Sequence, residues 1–205
     1  MKKSRVIIIA LVVLLIISVI SVVLNIRNRS AQDRIRRTMI NQAYSDLTNI
    51  SLNLGGLITD INNGVPYDTN QQSLVALSCS FAKLDTILKT FASSFPPKGV
   101  GRNVYPGAIF GFDFISYTLT AGTGTANGIS YEGITVDGLI SDGEVSYLML
   151  LRDDIDVIIA SMASDETPPQ AKNLTSSRID EILITFTSKW SFHNENSPYF
   201  LLCND

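Results

Sequence analysis

A single histidine limits the chemistry available to this chain of 205 residues. His193 lies in the segment Trp190-Ser-Phe-His-Asn-Glu195, near the end of the sequence. A catalytic serine needs a base within hydrogen-bond reach, and the nucleophile motif G-x-S-x-G does not occur. A zinc site at His193 would need acidic ligands from distant segments. We therefore expect a surface or packed histidine, no catalytic residue, no metal and no cofactor.

Carboxylates are the second source of chemistry. The densest group is Asp153, Asp154 and Asp156, and hard cations such as Ca²⁺ prefer several oxygen ligands. The spacing of an EF-hand loop is missing, however, and acids on the outer face of an amphipathic helix need no ligand to explain them. The alternative function is a hydrolase that pairs two acids around an insert at 96–143. Its candidate acids are Glu132, Asp137 and Asp142.

The chain contains two cysteines, Cys79 and Cys203. In an oxidising compartment they could form one disulfide that joins the C-terminal tail to the second helix of the folded part, provided that the geometry allows it. The other interpretation is a buried Cys79 and a free Cys203. Sequence alone leaves both open.

Two glycine pairs, Gly99-Val-Gly101 and Gly122-Thr-Gly124, lack the strand, helix and lysine of a phosphate-binding loop, so we interpret them as turn glycines. The same region is rich in aromatic residues. Rings on a loop can bury a partner at low entropic cost, although packing in the core explains them as well. The predicted binding residues are Tyr105, Phe110, Phe112, Phe114, Tyr117 and Tyr131.

Four segments with helical periodicity must position these side chains. The second is the most regular, because its apolar residues alternate in steps of three and four from Leu74 to Phe95. This seam could pack within the chain or against a second copy. Thr69-x-x-Gln72 and Ser141-x-x-Glu144 resemble capping boxes at two helix starts, and Gly55-Gly56 could kink the first helix. The predicted helices span about 30–62, 70–95, 142–164 and 176–190.

Between the second and third helices lies an insert, 96–141, that is rich in glycine. We expect a small β-hairpin there, with strands at Ile109–Thr120 and Ile129–Val136 around a flexible turn. Phe110, Phe114 and Tyr117 would also share one face of a helix, which is the competing interpretation.

Residues 6–24 form an apolar run of nineteen residues without a charge, in which Ser18 and Ser21 are the weakly polar members, after a short basic tail at 1–5. A helix of that length is about 28 Å long, which matches a hydrocarbon core of about 30 Å. A cleaved signal peptide usually has a shorter apolar stretch and a small-x-small cleavage site. We therefore expect an uncleaved, single-pass signal anchor, followed by one helical domain at 25–205.

Charge is divided unevenly along the chain. Residues 1–37 hold eight of the sixteen Lys and Arg but one acid, Asp33, whereas the rest carries eight bases against eighteen acids. An acidic domain repels polyphosphate, so we expect no nucleic-acid partner. Arginines after the apolar run favour a cytoplasmic body, but the lysine-poor composition of the domain leads us to expect an extracytoplasmic one at the plasma membrane.

Together these features predict a mainly α protein: a transmembrane helix, then a four-helix bundle with a glycine-rich insert that forms a small hairpin. This architecture resembles the helical-bundle sensor domains of periplasmic receptors, which usually return through the membrane, whereas we expect no second span here. The expected function is that of a non-catalytic binding or scaffold protein of the bacterial cell envelope. Its partner would be another envelope protein or a second copy of the chain, and whether it takes a small-molecule ligand is unknown from the sequence.

Overall fold

A computed structural model describes residues 2–95, 111–120, 124–126, 129–134, 138–166, 170–191, 194 and 196–202, with backbone alone for 2–13, 124–126, 129–131 and 176. The described part is mainly helical, as the sequence predicts. Its helices are α1 (Lys2–Asn62), α2 (Tyr67–Ser94), α3 (Gly111–Thr120), α4 (Asp142–Met162), α5 (Ser176–Lys189) and a 3-10 turn, η1 (Pro198–Leu202). The chain divides into two units, Met1–Thr38 and Met39–Asp205.

The apolar run lies in the first unit, within α1. By length and composition this helix is able to cross a membrane, although a signal sequence near an N-terminus would meet the same criterion. The side chains from Leu14 to Leu24 are all exposed. An apolar surface of this kind is costly in water and is stable in lipid. The structure is therefore consistent with a single-pass membrane protein.

Helix α1 continues through Gly55-Gly56, so these two glycines do not end it. Gly55 instead allows a close approach, because a Cβ at this position would lie 3.2 Å from Cζ of Arg152 on α4. Nearby, Ser51 Oγ donates a hydrogen bond of 2.5 Å to Asp156 of α4. These contacts set the register of α4 against the second half of α1.

The start of α2 differs from the prediction, whereas the start of α4 confirms it. Helix α2 begins directly after Pro66 with no side-chain cap, so the capping box proposed at Thr69 is not formed. Proline suits this place because it lacks the N–H that would be left without a partner there. At α4, Ser141 Oγ accepts a hydrogen bond from the Glu144 backbone N–H, and the Glu144 carboxylate accepts one from the Ser141 backbone N–H.

The predicted first strand of the hairpin, Ile109–Thr120, is wrong, because Gly111–Thr120 is helix α3. Phe112, Ile115 and Leu119 are buried and lie three and four residues apart, which places them on one helical face. The insert contains a short antiparallel ladder in which Gly124–Ala126 pairs with Ile129–Tyr131. The predicted hairpin is therefore replaced by a helix followed by these two three-residue strands.

The core of the second unit is a helical bundle. The α2 seam points into this core, so packing within the chain explains the heptad spacing. A small void of about 10 Å³ lies among apolar side chains of α1, α2, α4 and α5. The largest fully buried side chains are Trp190, Tyr147, Phe81, Phe112, Leu47, Ile50, Leu54, Leu57, Leu74, Leu77, Leu84 and Ile115.

Candidate functional site

Helix α3 carries the described part of the predicted binding region. Its inner face is buried, whereas Asp113, Phe114 and Tyr117 form what we call the α3 outer face. Asp113 is exposed, Phe114 is half-buried and Tyr117 is 45% exposed. At 100° per residue these three side chains lie within an arc of about 100° around the helix. An acidic group and two rings are thus presented together.

Paired hydroxyls fasten α3 to α2. Ser78 Oγ lies 2.8 Å from the Ser116 carbonyl oxygen, and Ser116 Oγ donates a hydrogen bond of 2.8 Å to the Ser78 carbonyl oxygen. Both side chains are buried, and their small size lets the two helices approach closely. A buried hydroxyl that lost its partner would be costly, so these contacts define one register between α2 and α3.

A second buried pair connects α3 to α4. Thr118 Oγ1 lies 2.9 Å from the Ile115 carbonyl oxygen, to which it donates, and 2.9 Å from the hydroxyl of Tyr147. Since one hydroxyl has one proton, Tyr147 is then the donor in the second contact. The backbone N–H of Ile134 donates to the Thr118 carbonyl oxygen at 3.1 Å. The orientation of the α3 outer face is therefore held by two neighbouring helices.

An ionic cluster of Asp85, Lys89 and Asp113 lies beside the first turn of α3. Lys89 Nζ is 2.5 Å from Asp85 Oδ2 and 3.5 Å from Asp113 Oδ2. Asp85 is buried, and this desolvation raises its pKa despite the opposing effect of Lys89. The hydrogen bond to Asp85 raises the pKa of Lys89, so both groups of the pair shift upward. Asp113 lies in the first turn of α3, where the helix dipole also favours a carboxylate.

Aromatic rings of other segments pack against the rings of α3. Phe112 stacks between Phe81 and Phe186, with ring centroids 6.1 and 5.0 Å apart. Phe114 and Tyr199 form a T-shaped pair with ring centroids 4.9 Å apart, and the Phe114 centroid lies 6.1 Å from that of Tyr117. Such ring pairs contribute about 0.5–1.5 kcal/mol each beyond the area that they bury. The α3 outer face is therefore packed against aromatic rings of the core.

The structure separates the six predicted binding residues. Phe112 is fully buried, as the core-packing interpretation holds, and Phe114 and Tyr117 share the α3 outer face. Tyr131 belongs to the second short strand, where the backbone alone is described. Tyr105 and Phe110 lie outside the described residues. Binding of a partner therefore stays a prediction, and among the described side chains it concerns Phe114 and Tyr117.

Sequence reasoning missed Asp85, Lys89 and Asp113. A signal existed for Asp85, because it follows Phe81 by four residues and precedes Leu88 by three, which places an acid on the apolar face of α2. A charged residue at such a position requires a partner, and Lys89 is one turn away. The contribution of Asp113 could not be found without knowing that this segment is a helix.

The acidic residues named from the sequence do not form one site among the described residues. Asp154 accepts hydrogen bonds from Lys189 and from Trp190 Nε1, both at 2.8 Å, whereas Asp156 is turned toward α1. Within the described residues no three potential metal ligands form a group. Glu132 and Asp142 are exposed, and Asp137 lies outside the described residues, as does His193.

Cys79 is exposed on α2 and forms no disulfide with a described residue, so the alternative in which it is buried is wrong. Cys203 lies outside the described residues, and the predicted disulfide remains untested. An exposed position on α2 faces away from the apolar seam, which explains why a thiol there does not pack in the core.

The described side chains of the α3 outer face offer contact surface and one charge. They include no nucleophile beside a base. Comparison with family models, with curated proteins and with solved structures finds no match.

Proposed function

We propose that this protein is a membrane-anchored, non-catalytic binding or scaffold protein of a bacterial cell envelope that acts through protein–protein contacts. The observation that carries the proposal is the α3 outer face, where Tyr117 is 45% exposed beside the half-buried Phe114. Tyrosine is enriched where proteins bind one another, because it supplies a large contact area with few rotatable bonds.

Rigidity of the α3 outer face supports this role. Helix α3 is fixed to α2 by Ser78 and Ser116 and to α4 by Thr118 and Tyr147. A surface that is already ordered loses little conformational freedom on binding, so more of the contact energy appears as affinity. Asp113 adds a negative charge at the edge, which favours a partner with an apolar side chain next to a cation.

Membrane anchorage supports the same role. Three contact residues make a small surface, and small surfaces bind weakly in solution. The apolar run of α1, with exposed side chains from Leu14 to Leu24, would confine the protein to a bilayer. Confinement raises the effective concentration of a partner in the same membrane and makes a weak contact useful. We place the domain on the extracytoplasmic side of the plasma membrane.

Photo-crosslinking in the cells that naturally make the protein tests the binding surface. A photoreactive phenylalanine analogue replaces Tyr117 in one variant and Ile184 in a matched control, since Ile184 is 53% exposed on α5. We expect one discrete crosslinked product from position 117 and none from position 184. Adding Phe114→Ala to the first variant should reduce that product. Equal crosslinking at both positions, or none at 117, would show that the α3 outer face is not the binding surface.

Protease accessibility tests the location independently. Protease is added to cells whose outer envelope layers have been made permeable while the plasma membrane stays intact. A C-terminal epitope tag should then be digested, while a cytoplasmic control protein survives. A tag that stays protected until the plasma membrane is broken would place the domain in the cytoplasm. The search for partners would then move to that compartment.

A further inference from the structure

The segment that follows the apolar run carries five arginines, and four of them have no ion pair among the described residues. They are Arg27, Arg29, Arg34 and Arg37, and all four side chains are exposed. The fifth, Arg36, lies 3.3 Å from Asp33, which is the one acid in residues 1–37. Four positive charges therefore remain available to an anion.

The spacing of these arginines divides them between two faces of α1. Arg34 follows Arg27 by seven residues, so at 100° per residue the two lie about 20° apart. Arg37 lies about 40° from Asp33, on the side of the helix that carries this acid. Arg29 and Arg36 lie on the opposite side, where Asp33 compensates Arg36. One face, which we call the arginine face (Arg27 and Arg34), thus holds two charges without an ion pair among the described residues, because Asp33 lies about 100–120° around the helix from both.

The distance from the apolar run places this face at a bilayer surface. Arg27 follows Leu24 by three residues, or about 4.5 Å of helix, and headgroups occupy roughly 5–8 Å beyond the hydrocarbon. Arg34 lies about 15 Å along the axis, but side chains on a helix lean toward its N-terminus. Arg34 therefore leans back toward the bilayer, and a tilt of about 20° toward the arginine face brings it closer still.

We propose that the arginine face binds the headgroups of anionic phospholipids and so sets the direction in which α1 tilts. This inference rests on the membrane anchorage of the proposed function. Each arginine near an anionic surface contributes about 1 kcal/mol, and the effect decays within a Debye length of about 8–10 Å. The acidic remainder of the chain, with eight bases against eighteen acids, is repelled by the same surface. Attraction at Arg27 and Arg34 offsets that repulsion.

The test uses the full chain reconstituted in liposomes of phosphatidylcholine and phosphatidylglycerol. Spin-labelled forms of each lipid report, by electron paramagnetic resonance, the lipid immobilised around the protein. Two double variants are compared with the unchanged chain: Arg27→Gln with Arg34→Gln, and Arg29→Gln with Arg36→Gln. Both pairs are seven residues apart and remove two charges, but they lie on opposite faces.

We expect the unchanged chain to prefer phosphatidylglycerol at low salt, and the first double variant to lose about fivefold of that preference for each of the two arginines that it removes. The second double variant should keep more of it, because Arg36 is already paired with Asp33 and Arg29 is then the one charge removed that has no ion pair among the described residues. Inorganic phosphate at constant ionic strength should not compete, because a free ion lacks the geometry of a headgroup layer. Competition by phosphate would identify an anion site instead and would overturn the lipid proposal.

Two further results would overturn the inference in distinguishable ways. Equal immobilisation of both lipids, or equal losses in both double variants, would show that the arginine face has no selectivity while the anchor remains. No immobilised lipid of either kind would show that α1 does not cross the bilayer, and the proposed anchorage would fail with it.

Discussion

Replacing Lys89 with methionine removes the cation that faces the buried carboxyl of Asp85. Lys89 Nζ lies 2.5 Å from Asp85 Oδ2, and Asp85 has one further charged neighbour, the carboxylate of Asp113. Both the hydrogen bond and the charge of Lys89 lower the pKa of Asp85, although burial outweighs them. Without Lys89 that pKa should rise further, and the ionised form should become more costly to bury.

The size of the effect follows from exposure. Breaking a buried ion pair costs about 3–5 kcal/mol, whereas an exposed pair contributes about 0.2–1 kcal/mol. The Asp85 side chain is 5% exposed and that of Lys89 is 35% exposed, so water screens one partner only. We expect a loss of about 1–2 kcal/mol near neutral pH, or about 2–8 °C in Tm for a domain of this size.

The pH dependence has a definite sign. The folded-state pKa of Asp85 is raised above its ordinary value of 3.8, so the folded protein binds this proton more tightly than the unfolded chain. The resulting stability is complete below the unfolded pKa and is lost as pH rises through the folded pKa. Because Lys89→Met raises the folded pKa further, the variant should differ little from the unchanged protein at about pH 4 and most at about pH 7.5.

Urea unfolding of the full chain in detergent, followed by circular dichroism at both pH values, measures this difference. Lys172→Met is the matched control, because Lys172 is exposed and forms no ion pair among the described residues. The control should unfold like the unchanged protein at both pH values. A loss in Lys89→Met that is the same at both, or larger in acid, would refute the account of Asp85.

Two more matched pairs test the helices. Gly56→Ala should raise the free energy of unfolding by up to about 1 kcal/mol, since its added Cβ meets no atom within 4 Å. Gly55→Ala should raise it less, because the side chain of Arg152 must move. Equal increases would contradict the close approach of Gly55 and Arg152. Ser141→Ala should cost about 1 kcal/mol as a lost helix cap, whereas Thr69→Ala should cost less because no cap forms there. Thermal unfolding of each variant in detergent measures all four changes.

The sequence predicted the long helices well because their burial is repetitive. The alternation of three and four residues from Leu74 to Phe91 predicts a helix whose face is buried, and those residues are buried. Ser141 and Glu144 mark the start of α4 by a local contact that needs no distant partner. A repeated apolar pattern, or a hydrogen bond within one helical turn, can be recognised in the sequence without knowing the fold.

Helix α3 was the competing interpretation and not the leading one, because its ten residues give too few repeats to separate helix from strand. Neighbouring helices decide the matter, since Ser116 and Thr118 find their hydrogen-bond partners on α2 and α4 when the segment is helical. The candidate site depends on the same information. Phe112 and Phe114 are similar in sequence terms, yet the helix turns one into the core and leaves the other at the surface.

Trp190 is the one tryptophan of the chain, and its surroundings make it a natural optical reporter. The indole stacks on Phe186 at 5.6 Å, meets the edges of Tyr147 and Tyr199 at 5.2 and 5.7 Å, and donates Nε1–H to Asp154. Its fluorescence therefore originates where α4, α5 and η1 meet. Emission from this protein reports loosening at that junction without any added label, and a signal that stays constant while a ligand binds would indicate that the junction stays closed.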